Sequence, residues 1–215
     1  MLGVAIFLVA GLLLSFMPAS NGCSCVFRHP QQVVCESDFV IKGIQVGSKG
    51  VPIPGSIPPF GGDVVYDILV KYVIKGEGIK VGDTIKVRTG SSSAACGVSI
   101  TAGALWLLTG RKTVSGDIPY SISSCDWNTE CSNLTPQQIS FLRPKGRKSY
   151  FGRKDNCKNC KIERCPDNDC SKPAAGQCLT DAKPCYAQTL KCQYTGKRCR
   201  WRKRKDAKKC FKSLN

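Results

Sequence analysis

Cys23-Ser24-Cys25-Val26-Phe27-Arg28-His29-Pro30-Gln31-Gln32-Val33-Val34-Cys35-Glu36-Ser37-Asp38-Phe39-Val40-Ile41 is the stretch on which the fold turns. Pro30 is placed to begin a short helix, its fixed φ suiting a first helical position, and Cys35 would staple the far end of that helix. From Phe39 to Val46 the apolar residues alternate imperfectly. Val40, Ile44 and Val46 fall on one face and Phe39, Ile41 and Gly43 on the other, which predicts a strand buried on both sides. Gly43 marks a bulge or barrel corner within it.

Upstream, Leu2 to Met17 form an apolar run that Pro18 ends, and Ser20 and Gly22 supply small residues for a signal peptidase. Residues 1–22 therefore read as a signal peptide, with cleavage after Gly22 making Cys23 the first mature residue. A signal anchor is the competing reading, but the run is short of the roughly 20 apolar residues that span a bilayer. A secreted protein without a membrane span is expected.

All fifteen cysteines lie between Cys23 and Cys210, and export to an oxidising compartment makes disulfides their default state. The count is odd, so at least one thiol is free, capped or linked to another chain. A zinc reading exists for Cys157-Lys158-Asn159-Cys160 with Cys165 and Cys170; secretion favours disulfides over it. Charge divides the chain. Cys23 to Pro144 carries 11 Lys and Arg against 9 Asp and Glu, and Lys145 to Asn215 carries 21 against 6. The expected domains are thus a nearly neutral barrel over 23–144 and a basic, cysteine-rich subdomain and tail over 145–215, too polar to hold together without cross-links.

Gly47 to Asp63, rich in glycine and proline, reads as a long hairpin loop. Strands are predicted at Val64–Ile74, Thr84–Arg88, Val98–Ile100, Ala104–Thr109 and Tyr120–Ser123, and a helix after an N-cap at Thr135. Short strands with turn signals and one or two helices give a mainly β chain built on a small Greek-key barrel of the OB type. Lys145 to Lys154 reads as a basic linker.

These residues resemble the tissue inhibitors of metalloproteinases. The marks are Cys23-Ser24-Cys25 with His29-Pro30-Gln31 and Cys35, then Asp38-Phe39-Val40-Ile41. Ser92-Ser93-Ala94-Ala95-Cys96-Gly97-Val98-Ser99 and Cys160-Lys161-Ile162-Glu163-Arg164-Cys165-Pro166 follow, with Cys170 and Cys178. The resemblance implies a netrin-like OB barrel, no enzymatic activity, no cofactor of its own, and secreted or cell-surface zinc metalloproteinases as partners. It also implies the pairs Cys23–Cys96, Cys25–Cys125, Cys35–Cys157, Cys160–Cys199, Cys165–Cys170 and Cys178–Cys192. Cys131, Cys185 and Cys210 have no family partner; Cys185 with Cys210 would be an extra bridge, leaving Cys131 odd.

The chemistry open to these residues is coordination. A catalytic zinc holds three protein ligands and a water, and the neutral α-amine and carbonyl oxygen of a mature Cys23 could displace that water. Ser24 would then face the enzyme's specificity pocket, and Ser93, Ala94 and Ala95, tied through Cys96, would form the second half of a wedge. His29 reads as structural, since the chain has no second histidine. The basic end, Arg200, Arg202, Lys203, Arg204 and Lys205, suits sulfated glycosaminoglycans of the extracellular matrix; nucleic acid is the alternative that secretion opposes. A rival to inhibition is a non-inhibitory netrin-like module that binds heparin or matrix polyanions. Asn133-Leu134-Thr135 is a glycosylation sequon.

Overall fold

Strand β1 (Phe39–Val51) pairs with two partners at once, and that double pairing closes a barrel. The computed structural model describes residues 22–52, 62–113, 117–144, 149–151, 156–166, 169–181, 183–202 and 205–212. In it β1 runs antiparallel to β2 (Asp63–Lys75) along its length and to β4 (Leu105–Lys112) through Phe39–Ile44. β2 pairs with β3 (Thr84–Gly90), β3 runs parallel to the short β5 (Tyr120–Ser121), and β5 pairs back onto β4. The ring β1-β2-β3-β5-β4-β1 is the five-stranded Greek-key barrel of the OB type. β6 (Thr129–Glu130) pairs with the outer side of β4.

The apolar residues at the start of β1 are buried on both faces because two layers meet there. Phe39 and Ile41 point into the barrel with Ile68, Val70, Val87, Trp106 and Leu108. Val40, between them, points outward to pack with Val34, Leu107, Phe141, Leu142 and Tyr150. The outer layer is formed by α1 (Pro30–Glu36) and α2 (Pro136–Phe141), joined by Tyr150, which is fully buried. Thr135 caps α2 in a reciprocal box with Gln138, each accepting from the other's backbone N–H. A register shift falls between Lys42 and Gly43, where a Cβ on Gly43 would run into the Ile68 side chain, so only glycine lets the strands approach this closely.

Three expectations need correction. The loop predicted over Gly47–Asp63 is shorter: Gly47 to Val51 continue β1, paired with Asp67 to Asp63, because backbone ladder bonds ask nothing of glycine and serine side chains. Val98–Ile100 is not a strand; the Val98 amide donates to Thr89 Oγ1 and Ile100 N lies 3.5 Å from the Tyr66 hydroxyl, so side chains replace a ladder. Within the stretch read as a linker, Ser149 and Tyr150 are core residues. The predicted leader up to Asn21, most of the Gly- and Pro-rich loop, Lys203 and Arg204 lie outside the described residues.

The C-terminal part contains α3 (Asn156–Asn159), a parallel pair β7 (Lys161–Arg164) and β8 (Gln177–Thr180), α4 (Pro184–Thr189), the antiparallel pair β9 (Cys192–Tyr194) and β10 (Cys199–Trp201), and α5 (Lys205–Lys212). Its core is largely sulfur: Cys160, Cys178, Cys192 and Cys199 pack with Ile162 against Trp201. Four bridges hold it, Cys160–Cys199, Cys165–Cys170, Cys178–Cys192 and Cys185–Cys210, which lower the entropy of the unfolded chain where apolar burial is sparse. Cys35–Cys157 ties α1 to α3. Around that bond the docking is polar. The His29 ring donates through Nε2 to the Tyr186 carbonyl at 2.8 Å, and the Gln31 side chain exchanges two hydrogen bonds with the Cys192 backbone.

Candidate binding ridge

The segment ahead of α1 has no regular structure, and cross-links replace it. Cys23 is bonded to Cys96 and Cys25 to Cys125, with Cα separations of 5.0 and 5.1 Å. The two bridges touch: Cys23 Sγ and Cys96 Sγ lie 3.8 and 3.9 Å from Cys125 Sγ. Two remote loops are therefore welded under one short segment, while Ser24 between the cysteines stays exposed.

The second half of the ridge is the turn after β3. Ser93, Ala94 and Ala95 are exposed, and the turn closes on itself through Ala95 N and Gly97 N donating to the Ser92 carbonyl and Cys96 N donating to that of Ser93. Cys96 has a φ of 56°, an uncommon conformation for a residue with a Cβ. It is held there by its disulfide and by its carbonyl, which accepts from Ser124 N at 2.8 Å. The structure thus brings Cys23, Ser24, Cys25, Ser93, Ala94, Ala95 and Cys96 together on one outward-facing edge.

One contributor was invisible in the sequence. Arg28 donates to the Cys125 carbonyl at 2.6 Å and pairs with Asp126 at 3.2 Å and Glu36 at 3.0 Å. It joins the ridge segment to the Cys125 loop on one side and to α1 on the other. Its acceptor is 97 positions away in the chain, so no local pattern announces it. Val26 and Phe27, beside it, are exposed apolar residues continuing the same edge.

Sulfur clusters at Cys23, Cys25 and Cys125 and at Cys160, Cys192 and Cys199 have the proximity of metal ligands. Every one of these sulfurs is in a disulfide, so none is the thiolate a metal needs. The same holds for Cys157, Cys165 and Cys170 of the zinc reading. Cys131 is free and half-buried, and burial raises its thiol pKa, with Lys42 opposing. Arg200, Arg202 and Lys205 are exposed. Asn133 is exposed at the end of a 3-10 turn, while Thr135 of its sequon caps α2 and donates to the Gln188 carbonyl.

The edge is thus a short segment and a turn cross-linked to one another on a closed barrel. The sequence model of the tissue inhibitor of metalloproteinase family matches residues 21–210, and the chain belongs to that family. It is 31% identical to metalloproteinase inhibitor 2 of Homo sapiens over 179 residues, covering 80% of this chain and 74% of that protein. It is 32% identical to metalloproteinase inhibitor 2 of Cavia porcellus, covering 78% and 72%, and 28% identical to that of Gallus gallus, covering 80% and 73%. The family is one of inhibitors, not enzymes. Among the described residues no helix is long and apolar enough to cross a membrane.

Proposed function

We propose that this chain is a secreted inhibitor of zinc metalloproteinases that acts through a mature N-terminus at Cys23. The α-amine and carbonyl of Cys23 would take two positions on the target's zinc and exclude the water that hydrolysis requires. Ser24 would enter the specificity pocket, and Ser93, Ala94 and Ala95 would fill subsites on the other side of the metal. The observation that carries this reading is the pair of touching bridges, Cys23–Cys96 and Cys25–Cys125, which fix an otherwise structureless segment beside an exposed turn. A ridge fixed before docking loses little freedom on binding, which raises affinity. Seven disulfides fit an oxidising compartment.

Because an α-amine has a pKa of about 7.7–8.0 and binds zinc deprotonated, inhibition weakens as pH falls through that range. The test is one alanine added ahead of Cys23 in the mature protein, or acetylation of its amine. Inhibition of a metalloproteinase cleaving a small peptide should vanish with the barrel intact by circular dichroism. Tight inhibition that survives either change removes zinc chelation as the mechanism.

A second reading concerns where the inhibitor resides. The basic charge of the C-terminal subdomain, with Arg200, Arg202 and Lys205 exposed on it, suits retention by sulfated glycosaminoglycans of the matrix, Lys203 and Arg204 adding to the same run.

A further inference from the structure

We propose that the C-terminal subdomain carries a folded, two-part binding site for a linear sulfated polysaccharide: the lysine face of α5 and the arginine row centred on β10. The inference rests on the matrix reading above and deepens it, because the site is defined by shape and not by the charge of a tail.

Lys205, Lys208, Lys209 and Lys212 stand at intervals of three and four along α5, so all four share one face, and all are exposed. The opposite face is locked. Ala207 is 1% exposed, Cys210 is bonded to Cys185, and Phe211 packs edge-on against Tyr186 at 5.2 Å. The helix cannot roll, and its lysines span about 10 Å at 1.5 Å per residue.

Arg198, Arg200 and Arg202 alternate along the chain with Cys199 and Trp201, which turn inward. Pairing with the β9 side continues past β10, since Arg202 N donates to the Lys191 carbonyl at 2.9 Å. The three arginines therefore lie on one side of an extended segment, all exposed, at intervals of about 6.6 Å. Tyr186 joins the two rows, packing edge-on against Trp201 as well as Phe211, both at 5.2 Å. A groove of about 710 Å³, lined by Lys172, Tyr186, Arg198, Arg200 and Trp201 among others, opens beside the arginine row.

Lys183 pairs with Asp181 at 3.0 Å, while the charge of residues 145–215 as a whole stays strongly positive, 21 Lys and Arg against 6 Asp and Glu. Cations gathered in this excess repel one another, and an external polyanion relieves that repulsion. Rows of this length demand a polymer, since a single ion would meet one or two of these cations. Arginine forks and lysine ammoniums both suit sulfate oxygens. In the oxidising surroundings that seven disulfides require, the abundant polymer with such groups is a sulfated polysaccharide and not a nucleic acid.

The experiment compares full-length, disulfide-intact proteins on heparin. Lys205→Gln/Lys208→Gln/Lys209→Gln/Lys212→Gln removes the helical face. Lys49→Gln/Lys71→Gln/Lys80→Gln/Arg111→Gln removes the same charge from exposed positions on the barrel. Cys185→Ser/Cys210→Ser keeps every charge and frees the helix. At a factor of about two per lysine, the helix-face variant should bind heparin about fifteenfold more weakly and elute at lower salt than the barrel control. The disulfide variant should also elute early. A helix-face variant that elutes with the barrel control overturns the site, whatever the disulfide variant does. Wild type that fails to bind heparin at about 0.15 M salt overturns the matrix reading itself. Binding to desulfated heparin, or to single-stranded DNA, as tight as to heparin overturns the ligand class.

Discussion

Gly97 packs directly onto Gly90, so closely that a Cβ on Gly97 would run into the Gly90 carbonyl and fall 2.8 Å from the Ser92 oxygen. A Cβ on Gly90 would in turn sit 2.8 Å from that of Ala95. The two glycines set the height of the turn that carries Ser93, Ala94 and Ala95, and through Cys96 they set where Cys23 lies. Gly97→Ala should therefore displace the ridge without reaching the barrel core. We expect inhibition of a metalloproteinase to weaken by about tenfold or more, a loss of about 1.4 kcal/mol, with a melting temperature lowered by only a few degrees. An inhibition constant within twofold of wild type would contradict this role.

Arg28 works from the other side of the same edge. Its three acceptors belong to two segments, the Cys125 carbonyl and Asp126 to one loop and Glu36 to α1. Arg28→Ala leaves the Asp126 carboxylate with its bonds from Ser123 N and Oγ, so no buried charge is abandoned and the fold should survive. The ridge segment instead gains freedom that docking must remove. The expected result is dissociation from the protease about three- to tenfold faster, with association nearly unchanged, read by surface plasmon resonance. Arg28→Lys, which supplies a point charge in place of a planar fork, should recover only part of the loss.

How far the sequence discloses this arrangement depends on whether the cause is local. Phe39-Val40-Ile41 shows its two-sided burial because an uninterrupted apolar run needs partners on both faces. The N-cap at Thr135 and the helix start at Pro30 are equally local. Gly47 to Val51 escape because their strand is made by the ladder with β2, and their composition is that of a loop. Val98 to Ile100 mislead in the opposite sense: their side chains favour a strand, while their N–H groups are claimed by Thr89 and Tyr66. Cysteine spacing cannot reveal pairing, so six of the pairs are expected from family resemblance alone, and Cys185–Cys210 only as a bridge between cysteines left over from it. Arg28 and the Gly90–Gly97 approach exist only once distant segments have met.

Tyr150 offers a test of the outer core. Its ring is fully buried, 5.0 Å from that of Phe141, and its hydroxyl has no hydrogen-bond partner among the described residues. Burial pushes its pKa well above the usual tyrosine value. An unpaired buried hydroxyl costs about 1–3 kcal/mol, so Tyr150→Phe should leave stability unchanged or raise it by about 1 kcal/mol. The free energy of urea unfolding measures this directly. A loss greater than about 1 kcal/mol would mean the hydroxyl is bonded.

His29 should make the union of barrel and C-terminal subdomain sensitive to acid. The ring is 1% exposed, its Nδ1 accepts from Gln31 N, and its Nε2 donates to Tyr186. Burial lowers its pKa from 6.5 to about 4, with the bond to the Tyr186 carbonyl partly opposing. Between those two values the unfolded chain binds a proton that the folded chain refuses. Stability therefore rises with pH across this window, is complete above the unfolded value, and is lost as pH falls toward 4. The full contribution is on the order of 3 kcal/mol. Carboxylates titrate in the same range, so the informative quantity is the difference between proteins. From pH 7 to pH 4.5, wild type should lose more unfolding free energy than His29→Gln, even if the variant is weaker at neutral pH. Equal losses in the two proteins would show that His29 does not control the acid limb.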